Sequence, residues 1–281
     1  MRFTFLGTGT SSGVPAIGCT CAVCTSKDPK DRRLRTAAAI QFTDPKGQER
    51  TILIDASPDL REQALRAGLT RCDAILFTHN HVDHVFGLDE TRRFNVLQKG
   101  PIDVYAEPHT LEALVRVYQH IFAKQHNVND SFVATLISHR IDESVVRAGT
   151  AIELYGARFT PIRLLHGRLP ILGYRIEMPG ESDVFPLAYC TDVSAVPPES
   201  WERLTGLKTL VLDALRHRHH PTHLTLEEAV NIADRVGAER TYFVHMAHDL
   251  PHEQTQAGLP EGMFLAWDGL ELGKSQMANR K

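Results

Sequence analysis

Long apolar runs are missing from this chain. No stretch approaches the length of a membrane span, and the opening MRFTFLGTGTSSG contains no apolar core of signal-peptide length. The cytoplasm is therefore the default expectation. Cysteine is scarce: five in 281 residues, with Cys72 and Cys190 standing alone as small apolar residues expected to be buried. The other three crowd into GCTCAVC, Gly18 to Cys24. Disulfides are rare in the cytoplasm, so clustered cysteines there point to metal ligands or redox groups. A tetrahedral site needs a fourth ligand, and nothing nearby in the sequence supplies one. Positive charge is not in excess either. Thirty-one Lys and Arg stand against 34 Asp and Glu, a net charge of −3, which disfavours nucleic-acid binding by bulk charge. Two nucleotide-binding motifs are also absent. Gly7, Gly9 and Gly13 run G-x-G-x-x-x-G, which misses the dinucleotide spacing, and no Gly-Lys-Ser/Thr follows; a tight turn is the reading.

The remaining composition, 42% apolar and 23% charged, is that of an ordinary globular protein, and with no repeat or linker residues 1–281 read as one domain. RFTFLG, TAAAIQF, TILID, DAILFTH and PIDVYAE read as strands in the first half. AIELYG, ARFTPIRLLH, LGYRIEM, FPLAYCTD, TLVLDAL, TYFVHMAH and MFLAWDGLEL do so in the second. Ser57-Pro58 is expected to open a helix through DLREQALRA. The spacing predicts another helix from His109 to Phe122, and Thr225 with Glu228 forms a capping box before LEEAVNIADRVG. Residues 123–148 are polar and aperiodic and read as a loop excursion or lid. Strands outnumber helices, which suits two sheets packed face to face with helices outside.

Directly after the apolar DAILF comes THNHVDH. His79, His81, Asp83 and His84 thus follow a strand end, where the backbone can aim imidazoles and a carboxylate at one point. That donor set suits zinc, manganese or iron; an exposed histidine-rich turn is the bland alternative. The H-x-H-x-D-H run resembles the signature of the metallo-β-lactamase superfamily. The resemblance implies an α/β fold, an αββα sandwich of two mixed β-sheets flanked by helices, with a dinuclear metal site at one edge. It also implies three later ligands, met here by His166 in RLLH, Asp192 in AYCTD and His245 in YFVH. On this reading His79, His81 and His166 hold one divalent metal, Asp83, His84 and His245 hold the other, and Asp192 bridges them. Asp83 is counted with the catalytic residues as well. The metals are manganese or zinc, and nitrogen and oxygen ligands do not choose between them. Asp55, in TILIDAS, matches a family aspartate that steadies a ligand or the THNHVDH loop; capping of the following helix is the alternative.

Two features resemble the PhnP-type phosphodiesterases, which act on phosphoribosyl cyclic phosphate. GVPAIGCTCAVC is similar to a stretch whose C-x-C-x-x-C carries a structural zinc, completed by a histidine three residues after the last catalytic-site histidine. The resemblance therefore assigns Cys19, Cys21, Cys24 and His248 to one zinc, within an N-terminal loop of residues 15–35. A solvated loop histidine is the alternative for His248. The second feature is a histidine before a helix, His223 in PTHLTLEEA, implied to be the general acid. His217, His219 and His220 of RHRHH compete for that part, or bind phosphate, or face solvent. The run KDPKDRRLR, Lys27 to Arg35, reads as a solvated charged loop. The implied activity is hydrolysis of a small phosphodiester such as phosphoribosyl 1,2-cyclic phosphate by a hydroxide bridging the two metals. Alternatives are a tRNA 3′-processing type of nuclease and a non-catalytic metal-binding protein related to pyrroloquinoline quinone biosynthesis protein B. The expected partner is a small phosphodiester, with neither membrane nor nucleic acid. The oligomeric state is unread, and a homodimer is compatible with the sequence.

Overall fold

Most of these strands are apolar on both faces, so each sheet must be covered on both sides. The computed structural model, which describes residues 1–127 and 132–273, shows how. One sheet contains β1 (Arg2–Gly7), β2 (Ala37–Thr43), β3 (Glu49–Ile54), β4 (Ala74–Leu76), β5 (Ile102–Ala106), β6 (Leu136–Arg140) and β14 (Glu271–Leu272), in the order β14-β1-β2-β3-β4-β5-β6. The other contains β7 (Ile152–Leu154), β8 (Ala157–His166), β9 (Leu169–Glu177), β10 (Leu187–Cys190), β11 (Thr209–Asp213), β12 (Arg240–Val244) and β13 (Met263–Leu265), in the order β13-β12-β11-β10-β9-β8-β7. The helices are α1 (Leu60–Arg66), α2 (Val82–Val85), α3 (Arg92–Gln98), α4 (Pro108–Val117), α5 (Gln119–Phe122), α6 (Glu143–Ala148), α7 (Leu226–Val236) and α8 (His252–Ala257). Among the described residues no helix is long and apolar enough to cross a membrane.

Side-chain alternation divides the core into three layers. Ile52 and Ile54 of β3 face inward with Phe3, Phe5, Phe159, Leu172 and Tyr174, between the sheets. Leu53, on the other face, packs with Leu60 of α1, Phe94 of α3 and Leu114 of α4. Ile162, Leu210 and Leu212 of the second sheet meet Leu226, Ala229 and Ala233 of α7. The result is the αββα sandwich that the motif resemblance implied.

Each sheet begins antiparallel and ends parallel. β1, β2 and β3 alternate in direction, and β3 to β6 run together. β7 to β10 alternate, and β10 to β13 run together. The carboxyl ends of β4, β8, β10 and β12 carry the candidate ligands, and those of β3 and β11 carry the aspartates behind them; apart from β8 these strands have parallel neighbours, where sites usually form.

Four expectations need correction. The first helix starts later than Ser57-Pro58, with Asp59 at its N-cap, because Ser57 Oγ is used within the turn. It accepts the Asp59 N–H at 3.2 Å and donates to Gln63 Oε1 at 3.1 Å. The helix expected to run to Phe122 breaks at Tyr118 (φ −108°, ψ 46°), whose hydroxyl donates to Val85 O at 3.0 Å. Residues 123–148 are no simple loop. They include β6, which pairs in parallel with β5, and α6, which buries Val146; residues 128–131 lie outside the described ones. β6 is an edge strand with little burial on either face, so it leaves no alternation for the sequence to reveal. Finally, the charged run 27–35 is only partly solvated, since Asp31 and Arg33 are buried. The capping box forms as expected, with Thr225 Oγ1 accepting the Glu228 N–H and Glu228 Oε2 accepting the Thr225 N–H.

Candidate metal centre

Three residues of the candidate site adopt left-handed backbone just past strand ends although none is glycine: Asp55 (φ 62°) after β3, Asp192 (φ 59°) after β10 and His245 (φ 60°) after β12. Each costs about 1 kcal/mol or more, and such strain gathers where a side chain must be aimed. These three point into the region where α2 brings Asp83 and His84.

The ligand atoms fall into sets whose members lie within 4.8 Å of one another: His79, His81 and His166 in one, and Asp83, His84, Asp192 and His245 in the next. Asp192 also groups with His166 and His223, so it stands between the two sets, where a bridging ligand would be needed. Hydrogen bonds at the far nitrogens fix the rings. His166 Nδ1 donates to Thr222 O at 2.7 Å, which leaves a lone pair on Nε2. His84 Nδ1 donates to Asp55 Oδ2 at 2.7 Å, and Asp55 also accepts from Thr78 N and Thr78 Oγ1. Asp55 therefore holds a ligand and the loop together, the task implied for it, and it does not cap α1. His84 Nε2 lies 3.3 Å from Asp83 Oδ2 and 3.2 Å from Asp192 Oδ2. Yet the buried Nε2 atoms of His79, His84 and His245 make no hydrogen bond. Lone pairs converging on carboxylate oxygens without hydrogen-bond geometry are what a pair of divalent cations requires, and the residues present fit it.

The electrostatics agree. Asp55, Asp83, Asp192 and Asp213 are all buried here. Among the described residues none of them is paired with a lysine or arginine; their ionic neighbours are His84, His223 and His245. Burial drives His79 well below its ordinary pKa. Burial acts the same way on His245, but Asp192, Asp213 and Asp83 outweigh it and push that imidazole up to about 10. His84 is raised in the same manner by Asp192, Asp55 and Asp83. Such a concentration of negative charge calls for cations.

His223 is buried beside both sets. Its ring stacks on His245 at 4.7 Å and meets His166 edge-on at 4.5 Å. Its Nδ1 is 3.3 Å from Asp213 Oδ1, which is equally distant from His245 Nδ1, and Leu224 N–H donates to Asp213 Oδ2. Sequence reasoning gave Asp213 no role. The available signal was its position at the end of the buried strand TLVLD, matching Asp55 after TILI and Asp192 after AYCT. Of the competing histidines, His220 sits 5.1 Å from the His223 ring, whereas His217 lines a separate cleft with Asp249 and Thr255 and His219 is exposed.

The cysteine loop meets its partner at the same edge. Cys19, Cys21 and Cys24 place Sγ 3.2, 3.2 and 3.5 Å from His248 Nδ1. Ligands about 2.0–2.3 Å from a tetrahedral zinc are separated by roughly 3.5 Å, so the four fit a Cys₃His site. The Cys24 backbone N–H, followed by His248, pulls the Cys21 thiol down to about 6, which favours thiolate at neutral pH. Burial pushes Cys24 up to about 11. Cys72 and Cys190 are buried in the core.

Residues 50–246 match the model of the β-lactamase superfamily domain. The chain is 37% identical over 273 residues to a Porphyromonas gingivalis protein named octanoyltransferase, covering 96% of this chain but 51% of that one. The chain thus spans about half the length of that relative. It is 30% identical over 236 residues to coenzyme PQQ synthesis protein B of Methylobacterium nodulans, covering 76% of this chain and 72% of that protein. A crystal structure described as a new diphosphatase from the PhnP family superposes with a TM-score of 0.84 at 44% identity, covering 98% of each chain. With that agreement in sequence and fold, the chain belongs to the β-lactamase superfamily and, within it, to the PhnP family.

Proposed function

We propose that the chain is a phosphodiesterase for a small substrate such as phosphoribosyl 1,2-cyclic phosphate. The observation that carries this reading is the placement of His223, in ring contact with a histidine of each ligand set and backed by Asp213. When bound, a divalent pair supplies Lewis acidity and lowers the pKa of water. His79, His81 and His166 would hold one ion, Asp83, His84 and His245 the other, and Asp192 both. Asp213 orients His223 through Nδ1 and leaves Nε2 for the substrate. Imidazole suits proton transfer near neutral pH, and protonating a departing alkoxide is worth about 10²–10⁴-fold in rate. A storage or scaffold site has no use for such a group, which speaks against a non-catalytic metal-binding protein. The acidic net charge speaks against a nuclease reading.

A second reading has specific support, because the 44% identical PhnP-family relative is described as a diphosphatase. In a diphosphate the leaving group is phosphate, which departs without needing a proton from His223. One experiment separates the two: metal analysis followed by assay on a panel of cyclic and linear phosphodiesters, diphosphates and phosphomonoesters. Roughly three metal ions per chain, as one tetrahedral and one dinuclear site imply, with diester hydrolysis and no monoesterase activity, is the expected result. Hydrolysis of diphosphates alone would replace the first reading with the second. A fully metal-loaded protein inert on the whole panel would defeat both.

A further inference from the structure

The charged run KDPKDRRLR sends one arginine into the interior. Arg33 is 1% exposed. Its Nη1 donates to Ala247 O at 2.8 Å and its Nη2 to Leu250 O at 2.5 Å, the carbonyls on either side of His248 and Asp249. Nη2 also lies 3.3 Å from Asp31 Oδ1, the atom that accepts the His252 N–H at 2.8 Å. Burying a guanidinium is costly unless its donors are met. Here Nε has no hydrogen-bond partner, and two of the remaining donor contacts go to carbonyls of a single turn, Ala247 to Leu250.

The backbone of Arg33 is committed as well. Val14 and Arg33 exchange both amide–carbonyl bonds at 2.8 Å, which closes the base of the loop that presents Cys19, Cys21 and Cys24. Gly9 makes room for this. A Cβ there would stand 2.7 Å from Arg33 O and 2.9 Å from Arg33 Cβ, closer than packing allows. Gly9 also bridges to Met246, and the next amide, Thr10 N, donates to Met246 O. A single side chain therefore joins the root of the cysteine loop to the turn carrying His248, across 214 positions of sequence.

We propose that Arg33 is a positioning residue. It fixes the Ala247–Leu250 turn against the cysteine loop, so that protein contacts assemble the Cys₃His cluster and hold His245, two residues before Ala247, in its left-handed backbone. The zinc then closes a site whose halves are already aligned, and Arg33 governs how tightly it is kept.

The test follows zinc release from the holo protein to a chromophoric chelator, under conditions where the protein stays folded. Arg33→Gln loses the charge and cannot reach both carbonyls; release should quicken by about tenfold or more, the effect expected for losing charge-assisted hydrogen bonds. Arg33→Lys, which reaches one carbonyl, should fall between it and wild type. Arg50→Gln serves as the control. Arg50 pairs with Asp44 and Asp73 at the other end of β3 from Asp55, so its loss should weaken the fold without quickening release. Release in both Arg33 variants at the wild-type rate, or no faster than in Arg50→Gln, would overturn the proposal. If the Arg33 variants do not fold, hydrogen exchange on wild type stripped of metal decides. The amides of Val14, Arg33, Met246 and Ala247, bonded to Arg33 O, Val14 O, Thr8 O and Leu215 O, should stay protected. Loss of protection confined to these amides would show that zinc, and not Arg33, holds the turn.

Discussion

Thr222 O can only accept, so the proton on His166 belongs to Nδ1 and the lone pair to Nε2. His84 is set the same way by Asp55, and His223 is oriented by Asp213 at 3.3 Å. The difference among these rings lies in what surrounds Nε2. For His84 it is Asp83 and Asp192, the surroundings of a candidate ligand. His223 is instead flanked by the rings of His166 and His245, the surroundings from which its proposed role as proton donor is argued. His223→Ala should therefore retain the metals of the wild type while losing turnover in proportion to the basicity of the leaving group. On diesters with alkoxide leaving groups kcat should fall by about 10²–10⁴, and on bis-nitrophenyl phosphate by much less. The check is a leaving-group series with metal content measured on the same samples. Equal slowing across the series would remove the acid role and leave His223 as a packing group.

Among the elements, those that carry candidate ligands share one design, in which the end of a buried strand aims a side chain. That design is why so much of the centre could be read in advance. THNHVDH follows the strand β4, and RLLH, AYCTD and YFVH each end a strand with a donor residue. Asp213 has the same pattern but escaped assignment, because its hydrogen bond from the Leu224 amide and its 3.3 Å approach to the candidate ligand His245 depend on tertiary contacts that no local spacing records. β6 escaped for a different reason, having polar residues on both faces of an edge strand. Arg33 escaped because charge runs normally face water, and only the carbonyls of a distant turn make its burial tolerable. The cysteine loop is the element whose influence on the centre is least direct. Cys21→Ser should lose the structural zinc. With Arg33 still gripping the turn, His245 should loosen without being lost. A positioning loss of about 1 kcal/mol corresponds to roughly a fivefold drop in kcat. Steady-state kinetics beside zinc analysis measures this, and a zinc-free variant with full turnover would break the link between loop and centre.

Across the whole molecule, two sheets of like pattern face each other, and the chain returns from the second to the first between β13 and β14. Asp268 sits on that return. Thr8 Oγ1 donates to its Oδ1 at 2.8 Å, Leu34 N to its Oδ2 at 2.8 Å, and Arg66 Nη1 lies 3.3 Å from Oδ2. One carboxyl thereby ties the crossover to the end of β1, to the segment after Arg33 and to α1. Burial raises its pKa from 3.8 to about 6, in spite of these donors. A carboxyl raised on folding favours the protonated native state. Its contribution is complete below about pH 4 and is lost as the pH rises through about 6, a swing of about 3 kcal/mol at most. The metal sites respond to acid in the opposite sense, because their ligands must be deprotonated to bind. The effect therefore shows in a comparison with Asp268→Asn, which carries the same metal sites and cannot titrate at this position. In denaturant unfolding from pH 4 to pH 7, the stability of wild type relative to the variant should decline as the pH rises and level off above about 6. A difference that stayed flat, or that grew with pH, would mean that Asp268 is ionised throughout and that its three donors outweigh its burial.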